Sequence, residues 1–175
     1  MKNRILLNKN STLTDYSNEL NNYHSNTSII FLEKDTDYLY VGQPFPFNHL
    51  YFKINTANTT SAVFTIDVWD GTEWQSTVEV NDETNSFFNS GFITWVTDKN
   101  EGWACDDTVD ESGAEEIDGF GTSNVIYDKY WIRIKTDTSN NGKFYPWFNE
   151  RLIGTTFNRS IGNKKIEISS LRFTF

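Results

Sequence analysis

The sequence has one cysteine, Cys105, and two histidines, His24 and His49. A lone thiol excludes an internal disulfide and a cysteine-only zinc site. Neither histidine has HExxH spacing or an evident nucleophile beside it. There is no Gly-x-Ser-x-Gly elbow and no glycine-rich phosphate loop, so no catalytic residue, metal or cofactor is expected. Also missing is any run of the roughly 18 apolar residues that a membrane-spanning helix needs. Positive charge is short: 15 Lys and Arg stand against 24 Asp and Glu, a formal net charge of −9. That balance argues against nucleic acid, whose phosphates need a basic patch, and against an anionic membrane surface. Near the start only Ile5-Leu6-Leu7 are apolar in succession, too few for the core of a secretion signal. The expected site of synthesis is a cytoplasm, with any exit made inside an assembly.

Aromatic residues are abundant, at 16% of the chain, with Phe and Tyr foremost. Such side chains suit a pleated, half-buried surface. With one Met and few Leu, amphipathic helices have little to build from. Asn is plentiful, and the Asn-x-Ser/Thr sequons at Asn10, Asn26, Asn58 and Asn158 read as chance in such a chain.

Residues 1–27 are polar and read as an N-terminal arm, either frayed or lying on a neighbouring subunit, with a helical turn or two over 14–23 that Asp15 would cap. From Ser28 the pattern is strand after strand, and 28–175 reads as one β-sandwich domain. Short runs at 28–32, 37–41 and 50–54 are stopped by Gly42, Pro44 and Pro46 and by Asn/Thr-rich turns. Over 61–69, Ala62, Phe64, Ile66 and Val68 share one face, and Val63, Thr65, Asp67 and Trp69 the other. Asp67 is expected on a solvent face. Asp70-Gly71 supplies a tight turn, 74–80 returns as the partner strand, and Trp69 and Trp74 are placed to pack across the hairpin. Further strands are expected at 92–96 and 130–135. The last runs from Ile166 to Phe175, its parity slipping at Ser169-Ser170. The expected fold is all-β: an antiparallel, jelly-roll-like sandwich with an N-terminal arm and a long acidic loop insertion.

That insertion spans 97–129. Asp98, Glu101, Asp106, Asp107, Asp110, Glu111, Glu115, Glu116 and Asp118 crowd there, with Lys99 the only base nearby. A solvated loop, a docking surface for a basic partner and a calcium site are the three readings, the last without EF-hand spacing. Trp103 and Cys105 suggest that part of the insertion folds back onto the sandwich. The six tryptophans could fill the core or line a sugar platform. Trp69, Trp74, Trp131 and Trp147, with Asp106, Asp107, Asp110 and Glu111, are the candidate interaction surface.

The series Ile66-Asp67-Val68-Trp69-Asp70-Gly71-Thr72-Glu73-Trp74, then Ser90-Gly91-Phe92-Ile93-Thr94-Trp95, then Tyr130-Trp131-Ile132-Arg133-Ile134 resembles β-sandwich modules in virion structural proteins of tailed bacteriophages. Tyr38-Leu39-Tyr40-Val41-Gly42 and Phe45 to Phe52 fit the opening strands of such modules, and the likeness covers roughly residues 37–136. The stretch between the last two motifs departs from the pattern: it lacks a Pro and is longer and more acidic. The resemblance implies a non-enzymatic subunit of a head–tail neck, tail ring or fibre adaptor. Such a subunit would partner copies of itself and other virion proteins, and its place would be the virion, assembled in the host cytoplasm. The alternatives are a carbohydrate-binding module for host glycans and, less favoured, a glycan-degrading enzyme using paired carboxylates.

Overall fold

The computed structural model describes residues 3–20, 26–30, 32–97, 102–106 and 129–145. Two strands open the chain, β1 (Arg4–Lys9) and β2 (Thr12–Asp15), followed by the four-residue helix α1 (Ser17–Leu20). Then come β3 (Ile29–Ile30), β4 (Tyr38–Gln43), β5 (His49–Phe52), β6 (Ile54–Thr56), β7 (Phe64–Trp69), β8 (Trp74–Ser76), β9 (Glu79–Asp82) and β10 (Gly91–Val96). The remaining described strands are β11 (Cys105–Asp106), β12 (Lys129–Thr136) and β13 (Lys143–Phe144). Every pairing among them is antiparallel. The fold is an all-β antiparallel sandwich, and among the described residues no sheet closes into a barrel.

Among the described residues there are three sheets. The large one has the order β2-β1-β4-β12-β7-β8. The short β11 pairs with the start of β12, where β7 has ended. The smaller sheets have the orders β5-β10-β9 and β3-β13-β6. Alternation places Ile5, Leu7, Leu39, Val41, Phe64, Ile66, Val68, Ile132 and Ile134 of the large sheet in one core. That core also takes Leu50 and Phe52 from β5, Ile93 and Trp95 from β10, and Ile29 and Phe144 from β3 and β13. Phe87 is its aromatic hub, with ring centroids 4.8 Å from Phe52, 4.8 Å from Phe64 and 5.9 Å from Phe144.

Phe87 reaches that hub from a strained turn. Asn85, Ser86 and Phe87 hold φ of 52°, 61° and 66°, a left-handed run without glycine. One carboxylate offsets the strain. Asp82 accepts from the Thr84 N–H and hydroxyl through one oxygen and from the Ser86 N–H through the other. Buried Asn58 then donates to the carbonyls of Ser86 and Thr60, and Asn140 also reaches the Ser86 carbonyl. Three loops are thereby fastened under the core.

Three expectations need correction. The first is the N-terminal arm: residues 4–15 form a hairpin inside the large sheet. Ile5, Leu6 and Leu7 are all buried because β1 lies between β2 and β4, with one face on the core and the other on the outer aromatic layer. The hairpin turns at Asn10 and Ser11, both at positive φ, and the Asn10 N–H donates to buried Asp37. The described part of the expected helix is α1, and Asp15 caps it, accepting from the Ser17 N–H at 2.8 Å. The second is the strand at 74–80, which divides between sheets: β8 pairs with β7, but β9 pairs with β10. The crossing occurs at Thr77-Val78, where the Thr77 N–H bonds the Ile66 carbonyl and the Val78 N–H bonds the Val96 carbonyl. The third is Asp67, which is 1% exposed and not on a solvent face. The C-terminal strand expected at 166–175 lies outside the described residues.

Candidate functional site

The side of the large sheet facing away from the main core carries most of the chemistry read from the sequence. Leu6, Tyr40, Trp69 and Trp131 form a second buried cluster there, flanked by Leu13, Tyr38 and Trp74. Its centre is a fit between Trp131 and Gly42, which face each other across β12 and β4. A Cβ placed on Gly42 would stand 2.8 Å from three carbons of the indole. Glycine at this position is therefore a seat for the ring. Trp69 and Trp74 pair across their hairpin with centroids 5.3 Å apart and edge-on geometry. Trp74 also lies 5.6 Å from Tyr40.

A charge cluster is set into this aromatic layer. Asp67 on β7 faces Arg133 on β12 in register. The guanidinium donates to Asp67 Oδ2 from Nε at 3.0 Å and from Nη2 at 2.7 Å. Lys135 Nζ is 3.0 Å from the same oxygen, and the Ser76 hydroxyl donates to Oδ1 at 2.7 Å. Arg133 lies 5.0 Å from the Tyr38 ring centroid and 4.9 Å from that of Trp74, so two π faces help hold the cation. A buried carboxylate held by a hydroxyl and two cations from neighbouring strands is a structural node of the sheet.

The turn after Trp69 is built by Asp70. Its Oδ1 accepts from the Thr72 N–H, the Thr72 hydroxyl and the Glu73 N–H, while Oδ2 accepts from Gln75. Gly71, at φ 109°, takes the conformation that a side chain would resist. Partial burial disfavours the charged form of Asp70, but the donors from Glu73, Gln75 and Thr72 outweigh it and hold the carboxyl down at about 2.

Two residues of the interaction surface expected from sequence do not lie at the surface. Trp69 and Trp131 are 1% and 0% exposed, since β4, β7, β8 and β12 bring their rings together, and a glycan cannot stack on them in this conformation. Trp74 is half-buried at the edge of the layer. Asp106 lies in β11, its backbone opposite Lys129. Trp147, Asp107, Asp110 and Glu111 lie outside the described residues. Trp103 and Cys105 do return to the sandwich. The Trp103 indole N–H donates to the Trp131 carbonyl at 3.0 Å, and its ring lies 5.2 Å from Phe47 and 5.8 Å from Tyr130. Among the described residues no group of three or more His, Cys, Asp or Glu could hold a metal ion; the calcium reading rested on residues mostly outside that set.

Sequence reasoning missed a different surface, the face of the β5-β10-β9 sheet turned away from the core. Alternation places His49 and Tyr51 of β5 there, with Phe92, Thr94 and Val96 of β10 and Glu79 and Asn81 of β9. Phe92 packs edge-on against Tyr51 at 5.1 Å and lies 6.3 Å from the His49 ring. Burial lowers the His49 pKa below its ordinary value, and its Nδ1 is 3.0 Å from Asn48 Oδ1. The signal was present in the parity of 49–52 and 92–96, but that pattern does not say what lies over each face.

The described residues thus define a class: an antiparallel β-sandwich whose motif residues build a buried aromatic layer. No family model, curated protein or solved structure matches the chain.

Proposed function

We propose that the chain is a non-catalytic structural subunit of a tailed-phage particle, a ring or adaptor protein of the neck or tail that assembles with copies of itself and with other particle proteins. The observation that carries this reading is the use made of the motif residues. Trp69, Trp74, Trp131 and Arg133 lock strands β4, β7, β8 and β12 into a rigid plate and do not surround a cleft. Asp37, Asp67, Asp70 and Asp82 each accept several hydrogen bonds that fix turns or strands, which is scaffold work. A stiff plate with apolar surface elsewhere suits a protein that acts by being fitted between neighbours.

Detection of the protein by mass spectrometry in purified particles, with light scattering on the isolated chain, tests the reading. Presence at a copy number characteristic of a ring supports it. Absence from particles overturns it. A carbohydrate-binding role is the second reading, and half-buried Tyr38, Trp74, Tyr51 and Phe92 are the aromatic faces that favour it. A glycan array with Trp74→Ala and Phe92→Ala variants decides that question, because neither residue is fully buried.

A further inference from the structure

We infer that the outer face of the β5-β10-β9 sheet is a self-association surface that pairs with the same face of a second copy. The inference rests on the reading of the chain as an assembling subunit and says where one contact lies. Four large apolar residues of the described chain are markedly exposed: Phe45 at 65%, Val63 at 65%, Val78 at 56% and Val96 at 49%. Three of them gather at one end of this sheet. Val78 and Val96 are tied by a backbone hydrogen bond of 3.0 Å, and Phe45 belongs to the segment whose Asn48 carbonyl accepts from the Trp95 N–H. Val96 continues the strip of Phe92 and Thr94 along the face, with Tyr51 beside Phe92. Concentration of this kind marks a contact surface, whereas scattered single residues need no explanation.

Charge selects the occupant. The chain carries a net −9, so two copies repel over most of their surface. A basic partner would be drawn to an acidic patch, but this face has charges only at its margins. Exposed Lys53 follows β5 on one side, and exposed Glu79 and Glu83 flank β9 on the other. A two-fold axis parallel to β10 would lay one copy's β5 margin over the other's β9 margin. Lys53 then meets Glu83 of the partner subunit, and the exchange occurs twice. Phe92 and Val96 meet their own counterparts. A surface that complements itself under a two-fold is what an isologous interface requires. Area sets the strength. Strands of four, six and four residues, at about 3.3 Å per residue and about 4.8 Å spacing, give a footprint of about 220 Å² per copy. Two copies therefore bury less than about 1,000 Å², below the usual size of stable specific complexes. The pair is therefore a weak one in solution, reinforced where several contacts act together.

Sedimentation velocity of the full chain from micromolar to millimolar concentration tests the proposal, with Phe45→Glu and Val96→Glu placing a carboxylate on each copy's face. Val63→Glu, on the large sheet's outer parity, is the control. The expected result is a reversible dimer for the parent and for Val63→Glu, with at least a tenfold weaker association for Phe45→Glu and Val96→Glu. All three variants should keep the parent's circular dichroism and melting midpoint, because the replaced side chains are solvent-exposed. Lys53→Glu with Glu83→Lys in the same chain should restore the dimer that Lys53→Glu weakens. Equal association of all variants overturns this face as the contact and leaves the assembly reading standing. A parent that stays monomeric throughout, or forms only open-ended aggregates, also overturns the face. The assembly reading then stands or falls on particle composition.

Discussion

Replacing Gly42 by Ala should destabilise the protein, although the same change inside an ordinary strand does the opposite. Glycine in a strand interior normally costs roughly 0.5–1 kcal/mol relative to Ala, because the unfolded chain loses more freedom. At Gly42 the new Cβ would stand 2.8 Å from three indole carbons of Trp131, whereas carbon atoms pack at about 3.5–4.0 Å. The ring must retreat by about 1 Å. It has little room, since Trp131 is fully buried, and Tyr40, Trp69 and Leu6 lie in the same cluster. Overpacking of this size costs about 1–3 kcal/mol, which exceeds the entropic gain. For a chain of this length each kcal/mol lowers the melting midpoint by about 2–4 °C. Urea unfolding followed by tryptophan emission should show a lower midpoint at unchanged slope. Pairing the change with Trp131→Leu tests the cause: once the indole is gone, adding the methyl should cost less than about 0.5 kcal/mol. A Gly42→Ala protein as stable as the parent, or an equal penalty in the Trp131→Leu background, would refute the seat argument.

Asp67→Ala takes from the partly exposed Arg133 and Lys135 the carboxylate they share, and a loss of about 1.5–3 kcal/mol is expected in urea unfolding; Arg133→Met, which removes one of those cations, should recover part of that loss in the double variant. Asp82→Ala orphans the donors of Thr84 and Ser86 and releases the left-handed turn at 85–87, so a loss of about 1–3 kcal/mol is expected, with faster amide exchange at Phe87 as the local signature. Asp70 contributes a pH dependence of known sign. Its carboxyl is held below the ordinary 3.8, at about 2, when folded, so its contribution is full above pH 3.8 and fades as pH falls toward 2. The Asp70→Asn protein should accordingly lose less stability than the parent between pH 4 and pH 2, measured as the urea midpoint across that range. An identical pH profile would count against the turn geometry.

Much of the strand content was legible because it depends on local alternation. Residues 64–69, 91–96 and 129–136 announce themselves through period two, and the break at Asp70-Gly71 through turn chemistry. What alternation cannot give is the environment of each face. It separated Phe64, Ile66 and Val68 from Thr65, Asp67 and Trp69, and a solvent side was then assumed for the second set. In fact β7 is an interior strand with both faces covered, and the partners that neutralise Asp67 sit on β12, far along the chain. The N-terminal hairpin was hidden for a related reason. Its strand is short, ends in Asn and Lys, and earns its burial only by lying between β2 and β4. The Asn10-Ser11 pair was the usable signal, since Asn tolerates positive φ at a turn.

The same reasoning decides between the two readings of Trp69 and Trp131, core and platform, in favour of the core. An indole on the face opposite a hydrophobic core looks available for stacking on a ligand. Whether it is available depends on its neighbours across the sheet, and here those are a glycine that admits the ring of Trp131 and aromatic partners that close over Trp69. The motif Trp-Asp-Gly-x-x-Trp therefore encodes a hairpin that braces its own sheet: Trp69 and Trp74 contact each other, and Asp70 fixes the turn between them. A brace of this kind is sensitive to any change in strand register. A one-residue slip of β12 against β4 would take Trp131 off Gly42 and turn Arg133 from Asp67 toward the core. Two independent penalties, one steric and one electrostatic, thus guard a single register.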